Sequence, residues 1–185
     1  VALRFADAPR EGAAGVVAAL RRLGLRSVLL SGDAAGPVAA VARSAGLDDA
    51  QAGMSPQGKA AWLEDARAAG HHTLMVGDGL NDAAAVASAD VSIAIASGVD
   101  ATRTAADMIL TGGDLGAIPR AVDVARQARR RIIENFGVAF AYNLLAVPLA
   151  VAGQVTPLTA AVAMSTSSIL VSLNALRLAR ERGRA

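Results

Sequence analysis

Two carboxylates, Asp78 and Asp82, share one short loop, Gly77-Asp78-Gly79-Leu80-Asn81-Asp82. Such a pair suits a hard, oxygen-seeking cation such as Mg²⁺. Gly77 and Gly79 let the backbone turn tightly and bring main-chain amides close to an anion. Ser31, in Ser31-Gly32-Asp33, offers a hydroxyl to a phosphate oxygen. Lys59 is the one lysine among 18 basic residues, the other 17 being arginine. A position that keeps lysine against such a bias wants a compact, mobile point charge. A hydroxyl, an ammonium and a carboxylate pair around one phosphate would make a phosphoryl-transfer site, where electrostatic positioning does most of the catalysis. Taken singly, a Gly-Asp-Gly turn is often only a turn and a lone lysine only a solvated charge. Their order along the chain and their placement at strand ends argue for a site.

The elements that must position these residues follow from hydrophobic periodicity. A strand-like run, Val1–Phe5, precedes a helical stretch from Pro9 to Leu23, with Val16, Val17, Leu20 and Leu23 at helical spacing and Gly24 as a stop. Ser27–Leu30 reads as a buried strand leading into Ser31-Gly32-Asp33. A helix follows from about Pro37 to Ala45, and another opens at Ser55-Pro56, a cap followed by proline at the first helical position, and ends at Gly70. Thr73–Val76 is a strand that empties into Gly77–Asp82. A short alanine-rich helix comes next, then strands at Val91–Ile95 and Asp107–Leu110. Strands alternating with helices imply a mostly parallel sheet covered on both faces. Ligands in such sheets sit beyond the carboxyl ends of the strands, where both polar loops fall.

Composition divides the chain. Of 185 residues, 54% are hydrophobic, which excludes intrinsic disorder. There is no cysteine, so disulfides, zinc fingers and thiolate metal sites are excluded within this chain. Residues 1–118 carry 9 basic and 13 acidic groups, whereas residues 119–185 carry 9 basic and 3 acidic. The basic C-terminal third could suggest nucleic acid, but its arginines flank an apolar run. From Asn135 to Leu176, 42 consecutive residues contain no Lys, Arg, Asp or Glu. A crossing helix needs about 20 apolar residues, so two spans are expected, Phe136–Val155 and Leu158–Leu176, turning near Gln154, Thr156 and Pro157. Soluble helices rarely run so long without charge. Arg126, Arg129, Arg130 and Arg131 precede the hairpin, and Arg177, Arg180, Arg182 and Arg184 follow it. The positive-inside rule then places both ends in the cytoplasm. The start at Val1, with no charged n-region or cleavage site, reads as the interior of a longer gene product.

Ser31-Gly32-Asp33, Met54-Ser55-Pro56-Gln57-Gly58-Lys59 and Gly77-Asp78-Gly79-Leu80-Asn81-Asp82 together resemble the second half of the phosphorylation domain of a P-type ATPase. That domain belongs to the haloacid-dehalogenase-like superfamily, with a Rossmann-like parallel sheet. The resemblance implies that Asp78 ligates Mg²⁺ with Asp82 beside it, that Asn81 and Asp82 order the phosphate site, and that Lys59 contacts the phosphoryl group. Ser31, Gly32 and Asp33 complete the implied catalytic set. Ser31 stands where most of the family has threonine and keeps the hydroxyl; Ala84 stands where the family usually has proline. Tyr142-Asn143 in the first span, with Met164, Ser167 and Ser168 in the second, resemble the last two membrane helices of copper(I)-transporting heavy-metal pumps. A thioether suits soft Cu(I), and the spans hold no carboxylate or lysine for the zinc and cadmium branch. Polar residues within a span mark pathways by default, although Ser165, Thr166 and Ser172 read better as helix-packing residues. Asn174-Ala175-Leu176-Arg177-Leu178 is similar to pumps that supply copper to respiratory oxidase assembly.

The expected organisation is therefore an α/β domain over 1–115, a basic connecting helix over 116–134, a transmembrane hairpin over 135–178 and a cytoplasmic tail over 179–185. By resemblance the whole would be an ATP-driven Cu(I) exporter working through an aspartyl-phosphate, in a bacterial inner membrane with the phosphorylation domain and C-terminus cytoplasmic. The family's Asp-Lys-Thr-Gly-Thr nucleophile segment does not occur in this chain, and Asp7 better resembles a later Asp-x-x-Arg segment. The implied partners are thus the upstream nucleotide-binding, actuator and Cys-Pro-Cys membrane regions of the same polypeptide, the lipid bilayer and a copper chaperone, with no nucleic acid. Alone, the chain is expected to form no phosphoenzyme. The competing expectation is a soluble haloacid-dehalogenase-type phosphatase with a membrane-anchoring hairpin.

Overall fold

The computed structural model describes residues 10–47, 49–77, 82–95 and 106–182. The expected strand at Val1–Phe5, Asp7, and the loop residues Asp78, Gly79, Leu80 and Asn81 lie outside the described residues. Contacts divide the chain into a first unit through Arg120 and a second from Ala121.

The first unit alternates helices and strands: α1 (Ala13–Arg22), β1 (Val28–Leu30), α2 (Ala35–Ala45), β2 (Asp49–Gln51), α3 (Pro56–Ala68), β3 (Leu74–Gly77), α4 (Ala83–Ser88), β4 (Val91–Ile95) and β5 (Met108–Leu110). Every pairing among these strands is parallel. β1 runs beside β2 with Val28 opposite Asp49. β4 lies between β3 and β5, with Leu74 opposite Val91 and Ile93 opposite Met108. The strand β2 has no counterpart in the expected element order, because Asp49-Ala50-Gln51 carries no apolar pattern. It is a strand by virtue of its partner: its backbone pairs with β1, the Gln51 carbonyl accepts from the Ser31 amide at 2.9 Å, and Arg26 holds Asp49 at 2.7 Å.

Alternation along β3 and β4 sends side chains to two cores. Met75 packs with Leu63 of α3 and with Ala85 and Val86 of α4 on one face. On the other, Leu74, Val76 and Ile93 pack with Leu20 of α1, Leu110 and Ile118. The three-stranded sheet β3–β4–β5 is thus covered on both sides, as a parallel sheet requires, while β1 and β2 pair as a separate two-stranded sheet.

The second unit is built on α5 (Ala117–Val151) and α6 (Pro157–Arg182). The expected connecting helix and first span form one uninterrupted helix of 35 residues, about 52 Å long at 1.5 Å per residue. It stops at Val151 by a glycine motif: Gly153 takes φ +72°, its amide reaches the Ala150 carbonyl, and the Gln154 amide reaches the Leu149 carbonyl. Thr156 then caps α6, exchanging bonds with Thr159 in both directions. Both helices are long and apolar enough to cross a membrane, and their apolar windows are unburied, with Phe136, Phe140, Leu145 and Leu158 among the exposed residues. A soluble core helix of this length would hide that surface.

Candidate functional site

Two of the polar motifs are fastened together beyond the carboxyl ends of β1 and β2, and Lys59 of the second reaches Asp82 after β3. β1 ends at Leu30, and Ser31 then folds back on its own loop: its hydroxyl donates to Asp33 Oδ2 at 2.8 Å and accepts from the Asp33 amide at 3.2 Å. The same loop is fastened to the next motif, since the Ser31 carbonyl accepts from the Met54 amide at 2.9 Å and the Asp33 carbonyl from the Gly53 amide at 2.8 Å. Gly32 permits that approach, because a Cβ there would stand 3.3 Å from the Met54 carbonyl oxygen.

Directly after Met54, Ser55 caps α3, its hydroxyl accepting from the Gly58 amide at 3.0 Å, with Pro56 at the first helical position. The cap fixes the first turn, and Lys59 projects from it. Its Nζ lies 2.6 Å from Asp82 Oδ1, with both side chains only 12% exposed. Asp82 sits at the start of α4 and packs on the end of β3: a Cβ on Gly77 would fall 3.1 Å from Asp82 Oδ2. A side chain at position 77 would therefore crowd the carboxylate, which would have to give by a few tenths of an ångström.

The fold thus fastens the Ser31-Gly32-Asp33 loop to the residues just before α3 and pairs Lys59 with Asp82, while Asp78 and Asn81 lie outside the described residues. An ammonium in the first turn of a helix is suited to receive an anion. Asp82 offers oxygen donors of the kind Mg²⁺ takes. Among the described residues no three His, Cys, Asp or Glu side chains cluster as a complete metal set, and Oδ1 of Asp82 is engaged by Lys59.

Two other carboxylates lie at the opposite, amino ends of the strands and serve the sheet. Asp90 accepts from the Thr73 amide at 2.8 Å, from the Thr73 hydroxyl and from Arg67, and the Thr73 amide bond in particular holds its carboxyl below the usual range. Asp107 is lowered too, first by the Ser92 hydroxyl and then by the Ser92 amide, each 2.8 Å away.

In the second unit the expected pathway residues fall on different faces. Tyr142 and Ser167 lie on the half-buried stripes of α5 and α6, whereas Asn143, Met164 and Ser168 are exposed. Ser165 and Thr166 return their hydroxyls to carbonyls four residues back, at 2.9 Å each, as helix-satisfied residues do. A pairing not expected from the sequence joins the helices: Asn174 Nδ2 donates to Asn135 Oδ1 at 2.8 Å, beside Glu134. Two asparagines at opposite ends of a charge-free run were the available signal.

Comparison with known proteins agrees with both units. The model of the haloacid dehalogenase-like hydrolases matches residues 1–90. The cation-transporting P-type ATPase B of Mycobacterium bovis is 46% identical over 96% of this chain, and the copper-exporting P-type ATPase of Mycobacterium tuberculosis is 45% identical over 98%. The chain spans about a quarter of the length of these relatives, 24% in each case. A crystal structure of a zinc-transporting PIB-type ATPase in the E2·Pi state superposes with a TM-score of 0.87 at 32% identity, covering 93% of this chain and 28% of that one. The chain therefore carries a haloacid dehalogenase-like α/β domain followed by two long apolar helices, and over nearly its whole length it is a match to the P-type ATPases.

Proposed function

We propose that this chain is part of an ATP-driven heavy-metal pump that exports Cu(I) through an aspartyl-phosphate intermediate. The observation that carries the reading is the Lys59–Asp82 pair after β3, with the Ser31 loop fastened to the turn that opens the helix of Lys59, in a chain that continues into two unburied apolar helices. In this reading the phosphorylated aspartate and the nucleotide-binding, actuator and Cys-Pro-Cys regions come from the remainder of the polypeptide. Asp78 and Asp82 would hold Mg²⁺, which when bound would offset charge on the phosphoryl oxygens. Lys59 leaves Asp82 for a phosphoryl oxygen when one is presented, and the Ser31 hydroxyl donates to another. Gly32 and Asp33 shape the loop that aims that hydroxyl, and Asn81 orders the phosphate site beside Asp82.

The metal follows from the donors in the helices. Met164 supplies the one soft atom at the positions singled out, with Tyr142, Asn143, Ser167 and Ser168 as further ligands or pathway groups. The hairpin offers no carboxylate to neutralise a divalent ion where an unpaired charge is costly. A monovalent soft ion fits such a set, and a copper chaperone would deliver it. The named relatives include a copper exporter and a zinc transporter, so the test must separate the two metals. In the full-length protein, ATPase activity should rise with Cu(I) and not with Zn²⁺, and Met164→Ala should weaken Cu(I) binding and copper stimulation together. Stimulation by Zn²⁺ alone would overturn the copper assignment, and absence of stimulation by either metal would overturn the pump.

A further inference from the structure

The hydrogen bond between Asn135 and Asn174 has a geometric consequence for the residues above it. α5 and α6 are joined through residues 152–156 and run antiparallel, so distance from the bond increases toward the connection on both helices. The half-buried stripe of α5 carries Asn135, Ala139, Tyr142 and Ala146, and that of α6 carries Asn174, Val171, Ser167 and Ala163. Tyr142 is seven residues beyond Asn135, and Ser167 is seven residues beyond Asn174. At 1.5 Å per residue both stand about 10.5 Å from the bond, two helical turns up on each side. With Asn135 against Asn174, Tyr142 and Ser167 therefore lie at one depth.

What else could set that depth is weak. Ala139, Ala146 and Ala163 on the facing stripes are smooth and small, which allows close approach but also sliding, and apolar surface in lipid gives helices no hydrophobic drive to choose one register. A one-turn slip of about 5.4 Å would carry Tyr142 past Ser167. A polar pair among apolar positions penalises the slipped states, because each would leave amide groups without partners; a single asparagine fixes coiled-coil register in this way. The pair is also anchored. Glu134, beside Asn135, accepts from Arg130 at 3.1 Å and Arg131 at 2.9 Å, and Asn174 reaches it at 3.4 Å.

We infer that Asn135 and Asn174 are positioning residues, whose bond sets the register of α5 against α6 and holds Tyr142 and Ser167 level. The inference rests on the reading of Tyr142 and Ser167 as metal-pathway residues only for its consequence in transport; the register itself is tested without metal. Val138 and Val171 line the same cleft as the asparagines, and this chain has no cysteine of its own. In full-length protein in lipid, with cysteines elsewhere replaced, the pair Val138→Cys with Val171→Cys should cross-link. Adding Asn174→Leu should reduce that product and raise cross-linking of Val138→Cys to Ser167→Cys or Ala175→Cys, one turn away. Asn174→Gln, which keeps an amide, should restore the first pattern, and Asn135→Leu should reproduce the shift should the α6 variant fail to fold. In the protein with its native cysteines, Asn174→Leu should raise the half-maximal metal concentration for ATPase activity roughly three- to tenfold, the scale of one interhelical hydrogen bond. An unchanged cross-linking pattern would overturn the clasp. A shifted pattern with unchanged metal dependence would overturn its positioning role. Failure of the wild type to respond to any metal would count against the pump alone, and the cross-linking would still decide the register.

Discussion

Lys59 and Asp82 form the most consequential contact at the scale of single residues. A pair with both side chains 12% exposed is costly to break from one side, because the remaining charge stays out of water without a partner. Lys59→Met should therefore destabilise the α/β unit by about 3 kcal/mol and abolish turnover of the full-length protein. Lys59→Met combined with Asp82→Asn should regain much of the stability and none of the turnover. Urea denaturation followed by circular dichroism checks the first statement, and ATP hydrolysis the second. A stability unchanged by Lys59→Met would mean that the pair is worth nothing to the fold. Lys59 was legible in the sequence as a lysine in an arginine-rich chain. Its partner was not, since Asp82 is 23 residues away and read first as a Mg²⁺ ligand; only the packing of α3 against α4 brings the two together.

At the scale of elements, helices were legible where their ends carry chemistry. Ser55-Pro56 announced α3 and Gly70 its end, and the His71 amide does reach back to the Ala66 carbonyl as a glycine-terminated helix allows. Strands were legible where they are apolar: β4 occupies Val91–Ile95 as its composition indicates. The polar β2 was invisible, because pairing with β1 rather than any local pattern makes it a strand. Ser55→Ala removes the bond to the Gly58 amide and should cost about 1 kcal/mol. Since the same turn carries Lys59, the variant should also slow turnover, and a loss of stability without any kinetic effect would show that α3 holds its lysine without the cap. The carboxylates at the amino ends of the strands give a pH signature. Asp90 and Asp107 both have folded-state pKa values below ordinary. Their contribution is complete above the unfolded carboxylate value of about 3.9 and is lost as pH falls through the lowered folded values. Stability should be level from neutral pH to about 5 and fall below about 4. Asp90→Asn and Asp107→Asn should each flatten that acid limb in denaturation midpoints taken from pH 3 to 7. An acid limb as steep as in the wild type would remove these two groups from the account.

At the scale of the whole chain, charge and length together bear on which way the hairpin would cross. The charge-free part of α5, Asn135–Val151, is about 25 Å long, and Pro157–Leu176 of α6 about 30 Å. Each is close to the thickness of a bilayer's hydrocarbon core. If both helices cross, the chain returns to the side it left and both ends share a compartment. The connection between them has no charged residue, whereas Arg126, Arg129 and Arg130 stand exposed before the first crossing and Arg177 after the second. Arginines near the ends of a span are retained on the cytoplasmic side, and the proposed pump would need its phosphoryl-transfer loops where ATP is, so the proposal and the charge pattern favour one orientation. A cysteine replacing Gln154 should react with an impermeant thiol reagent added outside intact cells, and one replacing Arg126 should react only after permeabilisation. The opposite pattern would invert the orientation, and protection of both positions from the outside would show that residues 152–156 never leave the cytoplasmic face, which would reduce the hairpin to an anchor and remove the path for a metal ion.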